Sequence, residues 1–544
     1  MPAVELIFVA ILIALWLLDL PPLHRIAAYP KAAFALCFCL PILLRLLLLF
    51  RYPIPAPHVS DDFVQILSAD TLLHFRLANP PHPLSQFFET FFTLQSPAYA
   101  AMFPLGQGLL LALGKLLTGN YWAGVALSAG AFAATCYWML RAWTSPGWAL
   151  VGGILTGIQF GPLCEWMNSY WGGSLAATAG CLILGSLPRL RAQPNTRYAI
   201  LLGTGLALHA LTRPFESVFL AIAVLAYILH ARIRPYPALI PLAAMLVLTL
   251  FHNHAVTGQW TQLPYQLSQY QYGVPSTMSF LPNPEPHREL TREQQLVVLV
   301  QKEKHGDAET PSTYFQRLAG RIRYLRFFVP APLYLALPFF LPALRRPRYF
   351  WIAATLALVI LGSNFYAYFY PHYIAGITGL FVLITVTGLS RMPAAIAPWI
   401  VRVSLAHFLF WYGVLAFATP ATLAALQPFA TWHVIRIGDP EARIAIRRQL
   451  ESTPGRHVVF VRYSLRHTFR EWVHNAADID ASRIVWARDL GPNENARLLD
   501  RYPDRKAWLL EPDAYTPRLQ NYAETTKRFQ IPSYTPGGSQ NGSR

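Results

Sequence analysis

Acidic residues are scarce in this chain. Of 544 residues only 27 are Asp or Glu, against 44 Lys or Arg, and charged residues of all kinds make up 13%. A water-soluble chain carries about a quarter charged residues, so that class is excluded. With 54% hydrophobic residues arranged in runs of bilayer length, the sequence reads as an integral membrane protein. Cysteine is sparse too. Cys37, Cys39, Cys136, Cys164 and Cys181 all lie in or beside apolar segments. Cys37 and Cys39 lack the spacing of a zinc knuckle and the polar stretches hold no cysteine, which excludes a disulfide framework and a metal finger. There is no Gly-x-Gly-x-x-Gly, no phosphate loop and no solenoid repeat. No convincing cleavage site follows the first apolar run, so Met1–Leu20 reads as a retained anchor.

Twelve apolar spans are present. They begin with 3–19 and 32–50, resume with six between 121 and 252, and close with four between 327 and 418. The basic residues sort them. Arg25/Lys31, Arg141, Arg189/Arg191/Arg197, Arg232/Arg234, Arg345/Arg346/Arg348 and Arg391 all fall on one side, the cytoplasmic one, if 102–118 is re-entrant or interfacial. Counting 102–118 as a crossing gives thirteen spans and breaks the pattern. The formal net charge of +17 is therefore the positive-inside bias and implies no nucleic-acid partner. Both termini then lie outside.

The expected fold class is mainly α: a polytopic transmembrane helix bundle of twelve to thirteen spans, with external surface helices and a small C-terminal α/β extramembrane domain. Residues 1–430 form the membrane domain, with external loops 51–103 and 253–326. Residues 431–536 form the extramembrane domain, and 537–544 a disordered tail. In that domain, half-buried strands are expected at His457–Tyr463, Arg483–Arg488 and Lys506–Leu510, with helices at Glu441–Leu450 and Asn493–Arg501, as a small parallel sheet. In the first external loop, Phe63, Ile66, Leu67, Asp70, Leu73 and His74 follow a helical period suited to the membrane surface, and Leu84–Phe92 is a second such helix.

Against this background two adjacent acids stand out. Before Asp61 and Asp62 only Glu5 and Asp19 are acidic, and between Asp70 and Glu285 only Glu89, Glu165 and Glu216. Neighbouring carboxylates repel, which raises one pKa toward a value useful for proton abstraction. Ser60-Asp61-Asp62 before an apolar-periodic stretch is also a good helix cap, and both readings can hold at once. On the topology above, the unusual sequence converges on the external face: the acid pair, the segment Glu165 to Gly173, Thr212-Arg213-Pro214-Phe215-Glu216, and Tyr366–Tyr373.

Three stretches in this order resemble the membrane glycosyltransferases of the GT-C superfamily. They are Ser60-Asp61-Asp62-Phe63 after a span, Tyr99 to Gly108 with Pro104-Leu105-Gly106, and Gly203-Thr204-Gly205 running to Thr212-Arg213-Pro214. The likeness is to the bacterial branch related to protein O-mannosyltransferases and aminoarabinose transferases, and it covers roughly residues 1–430. Two departures exist. Relatives usually carry Asp-Glu where this chain has Asp61-Asp62, and Lys is common where Arg213 stands.

The resemblance implies an enzyme of the bacterial cytoplasmic (inner) membrane, acting on the external, periplasmic side. It implies transfer of a sugar from a polyprenyl-phosphate carrier, with inversion, to an acceptor hydroxyl on a lipid, glycan or protein. Such chemistry needs a carboxylate base, met by Asp61 with Asp62 as partner, since the family places its essential acid first. It needs cationic or polar groups on the leaving phosphate, with Arg213, Arg76, His74 and His372 as candidates. Trp166, Asn168, Tyr170 and Trp171 suit a sugar surface, Glu165 an acceptor or cation, and Tyr370-Pro371-His372-Tyr373 adds to the same face. A divalent cation at Asp61/Asp62 is compatible with this chemistry and not demanded by it, so no metal ligand is assigned. The rival readings are a lipid-linked glycan polymerase or ligase, a transporter or flippase, and a silent scaffold. Transporters favour repeated halves, which this sequence lacks.

Overall fold

The computed structural model describes residues 2–17, 23–307, 309–426 and 441–524. Helical structure occupies each of the twelve apolar spans. Six helices among the described residues are long and apolar enough to cross a membrane: Pro30–Leu47, Trp122–Leu140, Pro214–Ala231, Tyr236–Thr257, Pro371–Leu389 and Ala397–Phe417. The chain is a multi-pass membrane protein, mainly helical, with a small sheet domain near its C-terminus. Span 327–344 is a broken one. Pro330, Pro332, Pro338 and Pro342 withdraw backbone donors, and it folds as short turns bent by 104° from the helical run Pro311–Phe328.

Small residues set the spacing in the bundle. A Cβ on Gly180 would come within 1.7 Å of the Gly376 carbonyl, and one on Gly376 within 2.1 Å of His209 Nε2. Two segments therefore meet backbone to backbone there, in the way small residues allow within membranes, and the third lays the His209 ring on Gly376. The helix Leu105–Thr118 has 14 residues. At about 21 Å it is shorter than a bilayer core of about 30 Å. It packs on the helices Ser60–Leu73 and Trp122–Leu140.

The acid-pair helix, Ser60–Leu73, does not lie free on a membrane surface as its amphipathic period suggested. Ala69 packs on Leu111, Val125 and Met167 of the bundle. On the other side Leu67 joins Phe87, Phe88 and Tyr99 in a core shared with the C-terminal sheet. The helix is covered from both sides because a second domain sits on it. That cover also explains why Leu84–Phe92 is not a helix. Only Ser85–Phe88 forms a single 3₁₀ turn, since Phe87 and Phe88 turn into the sheet domain and Gln95 Nε2 donates to the Phe88 carbonyl at 2.6 Å. The chain beyond is extended and pairs β1 (Thr93–Leu94) with β2 (Ala100–Ala101).

The C-terminal sheet holds β3 (Arg456–Val461), β4 (Ile484–Arg488), β5 (Arg505–Glu511) and β6 (Arg518–Asn521) in the order β4-β3-β5-β6. The first three are parallel, as expected from the alternation of strands with helix-like segments, and the helices are Glu441–Ser452 and Pro492–Arg501. Strand β6, antiparallel to β5, had no expected counterpart: Arg-Leu-Gln-Asn offers one apolar side chain and no alternation. Val458, Phe460, Val485 and Leu509 face the acid-pair helix, while Val459, Val461, Trp486 and Leu510 face Ile446, Leu450 and Trp472. The expected tail at 537–544 lies outside the described residues.

Polar contacts fix the domain on the bundle. Ala477 N donates to Asp70 Oδ2 at 2.7 Å, and Tyr99 Oη donates to the Asn475 carbonyl at 3.1 Å. The His474 ring stacks on Phe63 at 4.4 Å, with the Arg443 guanidinium over the same ring at 4.2 Å. Arg488 bridges Glu293 of the second loop to Glu471 of its own domain. Burial pushes Glu471 up to about 7, against the pull of Arg488.

If 51–103, 253–326 and the sheet domain share the external side, single cysteines at the exposed positions Phe75, Gln295 and Ala481 will react with an impermeant thiol reagent in intact cells. A cysteine at the exposed Gln193 will react only after lysis. Labelling of one external position with protection of another overturns the topology.

Candidate active site

The two acids take different places although they are neighbours. Asp62 sits at the third position of its helix, whose N-cap is Val59. Its carboxylate is buried and accepts Tyr170 N at 2.8 Å, His58 N at 3.3 Å and Val59 N at 3.5 Å, with His58 Nδ1 at 3.5 Å. Burial raises its pKa while His58 and these three N–H groups oppose the rise. Asp62 thus caps the helix and pins the 165–173 segment to it.

Asp61 is part exposed and turned toward other charges. Burial, followed by the charge of Asp62, pushes it up to about 6, with Arg213 pulling the other way. Arg213 occupies the junction between the helices Thr196–Thr212 and Pro214–Ala231, where Pro214 stops the first and opens the second. Its guanidinium lies over the Tyr373 ring at 4.7 Å. Tyr265, Tyr373 and Glu216 lie in electrostatic range of Arg213, and both tyrosines feel Asp61 as well.

Beside this cluster opens a cavity of about 530 Å³ whose wall includes Arg213, Glu216, His252, Tyr265, Tyr366 and Tyr373. Leu105, Leu211, Phe215 and Leu281 line it as well. Charged and polar groups together with hydrocarbon in one cavity suit an amphiphile with an anionic head.

The expected site residues divide. Asp61, Asp62 and Arg213 come together. Trp171 and His372 meet edge to face at 4.5 Å, and Tyr370 lies within 5.6 Å of Trp171. Tyr370 in turn feels the charges of Asp61 and Glu165. Glu165 is buried with Oε1 unpartnered, and burial alone pushes its pKa up to about 7.

Five residues are corrected. His74 and Arg76 are exposed at the far end of the acid-pair helix, about 20 Å along its axis from Asp61. They cannot reach a group held between Asp61 and Arg213. Asn168 and Tyr170 are buried anchors, not sugar-facing surfaces. Asn168 accepts from Arg45 Nε at 2.8 Å and donates to the carbonyls of Pro162 and Cys164, while Tyr170 Oη donates to the Pro55 carbonyl at 2.8 Å. Trp166 is buried among Phe132, Phe160 and Phe327.

Several lining residues escaped sequence reasoning. Glu216 carried a signal: it is the lone acid of its span, three residues past Arg213. His252 had a weak one as a polar residue near the end of an apolar run. Tyr366 showed only as the first residue of the Tyr366–Tyr373 stretch, and Tyr265 had no signal, since tyrosine is common in this chain and only the fold brings it in. Among the described residues no cluster of three His, Cys, Asp or Glu side chains could hold a metal ion.

The raised pKa of Glu165 has a sign that can be measured. A carboxyl whose folded pKa exceeds its unfolded one destabilises the fold once ionised, so the penalty is absent below about pH 4 and grows until about pH 7. Glu165→Gln removes it and will raise stability above pH 7 by on the order of 2 kcal/mol, with no gain at pH 4. Thermal melting in detergent at both pH values measures this, and an equal effect at both overturns it.

No family model and no curated protein matches this sequence. Among solved structures the chain resembles ArnT from Cupriavidus metallidurans bound to undecaprenyl phosphate, with a TM-score of 0.52 and 11% identity over 90% of this chain and 94% of that one. ArnT is an aminoarabinose transferase of the GT-C class. Its apo form gives a TM-score of 0.48 at 12% identity, over 87% and 93% of the two chains. The oligosaccharyltransferase AglB from Archaeoglobus fulgidus, in complex with an inhibitory peptide and a dolichol-phosphate, gives 0.41 at 12% identity, over 89% and 70%. The bundle, the helices between its spans and the C-terminal domain together have the fold of ArnT.

Proposed function

We propose that this protein transfers a sugar from a polyprenyl-phosphate carrier to an acceptor hydroxyl at the external face of the bacterial inner membrane, with inversion. The observation that carries the reading is Asp61, pushed up to about 6 within the electrostatic reach of Arg213, a residue that also lines a cavity with polar and apolar walls. The GT-C fold supports it, and so does the undecaprenyl phosphate bound to ArnT. We assign catalysis to residues 1–430 and acceptor-side cover to the C-terminal domain.

Asp61 accepts the proton of the acceptor hydroxyl as its oxygen bonds to the anomeric carbon. The bond from that carbon to the phosphate oxygen breaks on the opposite face, and the oxygen leaves with the electron pair. Attack from the far side inverts the anomeric centre. Arg213 offsets the charge that grows on the phosphate, in a site where little water competes, and the Tyr265 and Tyr373 hydroxyls add donors. The apolar wall holds the first isoprene units. Asp61 then returns its proton to solvent on the external side. A base near 6 is ionised at neutral pH without being too weak to take a proton.

Incubating the purified protein with a panel of polyprenyl-phosphate sugars and acceptors will release carrier phosphate with one of them. Asp61→Asn, at matched membrane levels, will abolish transfer, and near-normal transfer refutes the base. Arg213→Ala will lower turnover by on the order of 2–4 kcal/mol of barrier, and Arg213→Lys will keep part of it. Equal activity in all three returns Arg213 to a structural role. The rate will rise with pH through about 6 as Asp61 loses its proton.

A further inference from the structure

Arg45 lies in the membrane span Pro30–Leu47 and is completely buried. No carboxylate among the described residues lies within ion-pair distance of it. A cation buried without a counter-charge is costly, so its surroundings are informative. Its donors are fully directed. Nε donates to Asn168 Oδ1 at 2.8 Å, Nη1 to the Tyr52 carbonyl at 3.0 Å and Nη2 to the Pro53 carbonyl at 3.0 Å. The guanidinium also stands over the Trp122 ring at 5.3 Å, and Trp122 Nε1 donates to the Met167 carbonyl at 2.8 Å.

These partners fall in two segments. Tyr52 and Pro53 belong to the chain that leads into the acid-pair helix. Met167 and Asn168 belong to the segment that returns to it, and two residues on, Tyr170 N reaches Asp62 Oδ1 at 2.8 Å. The two segments are tied again where Tyr170 Oη donates to the Pro55 carbonyl at 2.8 Å. Arg45 therefore grips both sides of the clasp that closes on Asp62. A guanidinium fits because its planar fork reaches three oxygens at once, which an ammonium cannot do in fixed directions.

We propose that Arg45 is a positioning residue for the acid pair: from inside the membrane span it holds the 52–56 and 164–170 segments so that the Tyr170 N–H stays on Asp62 and Asp61 is left free to face Arg213. The part of this that concerns catalysis rests on the function proposed above. The hydrogen-bond relay itself does not.

The charged and titratable groups around the pair are few. Asp62 faces His58 and Tyr170. Asp61 faces Asp62, Arg213, Tyr265, Tyr370 and Tyr373. Withdrawing the Tyr170 N–H removes a donor from the ionised form of Asp62. The second proton of the pair then leaves at higher pH, and the acid limb of the rate profile moves up.

The test uses the full-length protein in detergent or nanodiscs, with Arg45→Lys and Asn168→Ala, and reads hydrogen exchange by mass spectrometry. The Tyr170 amide and the 52–62 segment will exchange faster by about tenfold or more, while strand β3 of the C-terminal domain keeps its protection. This readout needs no assay of transfer, so it decides the relay even if the proposed reaction fails. Unchanged exchange at Tyr170 in both variants overturns the proposal, and so does uniform loosening of the whole bundle, which marks a general structural role. Should Arg45→Lys not insert, Asn168→Ala breaks the same relay at its second link and carries the test. Where transfer is measurable, the acid limb will shift upward in both variants with little change in the KM for donor. Faster exchange with an unmoved acid limb refutes the positioning of the acid pair.

Discussion

The capture of the Tyr170 N–H by the Asp62 carboxylate, at 2.8 Å, is the contact through which the candidate site is assembled. One carboxylate closes the first turn of its own helix and holds a segment 108 positions later in the chain. It is buried, so each donor weighs more than it would in water. The candidate site is arranged around this clasp: the free side of Asp61, the placement of Glu165, and the Trp171 edge against His372.

Two adjacent acids in a low-dielectric setting cannot share one role. Asp62 takes the N–H donors and with them the fixed charge. Asp61 receives the repulsion and is left as the group whose proton moves at mild pH. Arg213 limits how far this goes, since it is the group whose charge pulls the pKa of Asp61 down, as His58 does for Asp62. The division follows from where the donors are, and either acid alone in the same place would behave as an ordinary cap.

Much of this was legible in the sequence for identifiable reasons. Apolar runs and basic loops report spans and sides directly, because the bilayer imposes both. The parallel strands of the C-terminal domain showed as short β-branched runs, and Asp61, Asp62 and Arg213 showed by their rarity in such a chain. What failed was anything set by contact between distant segments. The helical period of 63–74 was correct, but Phe63, Leu67 and Asp70 on that face meet a domain about 400 residues later instead of a membrane surface, and no local pattern records that. Asn168 and Tyr170 look like sugar-binding residues by type. Their hydrogen bonds are taken up by Arg45, Pro55 and Asp62, partners that only the fold supplies. Arg45, one cation near the end of an apolar run, prompted no expectation, since its partners lie in segments that only the fold brings to it.

The seam between Asp70 and Ala477 joins residues 407 positions apart. During synthesis at about 5–20 residues per second, the acid-pair helix leaves the ribosome roughly 20–80 seconds before its cover exists. For that interval Phe63, Leu67, Phe87 and Phe88 lack the domain that covers them. The acid-pair helix therefore reaches its final packing only once the sheet domain is made, and termination anywhere before the sheet would leave that helix unroofed.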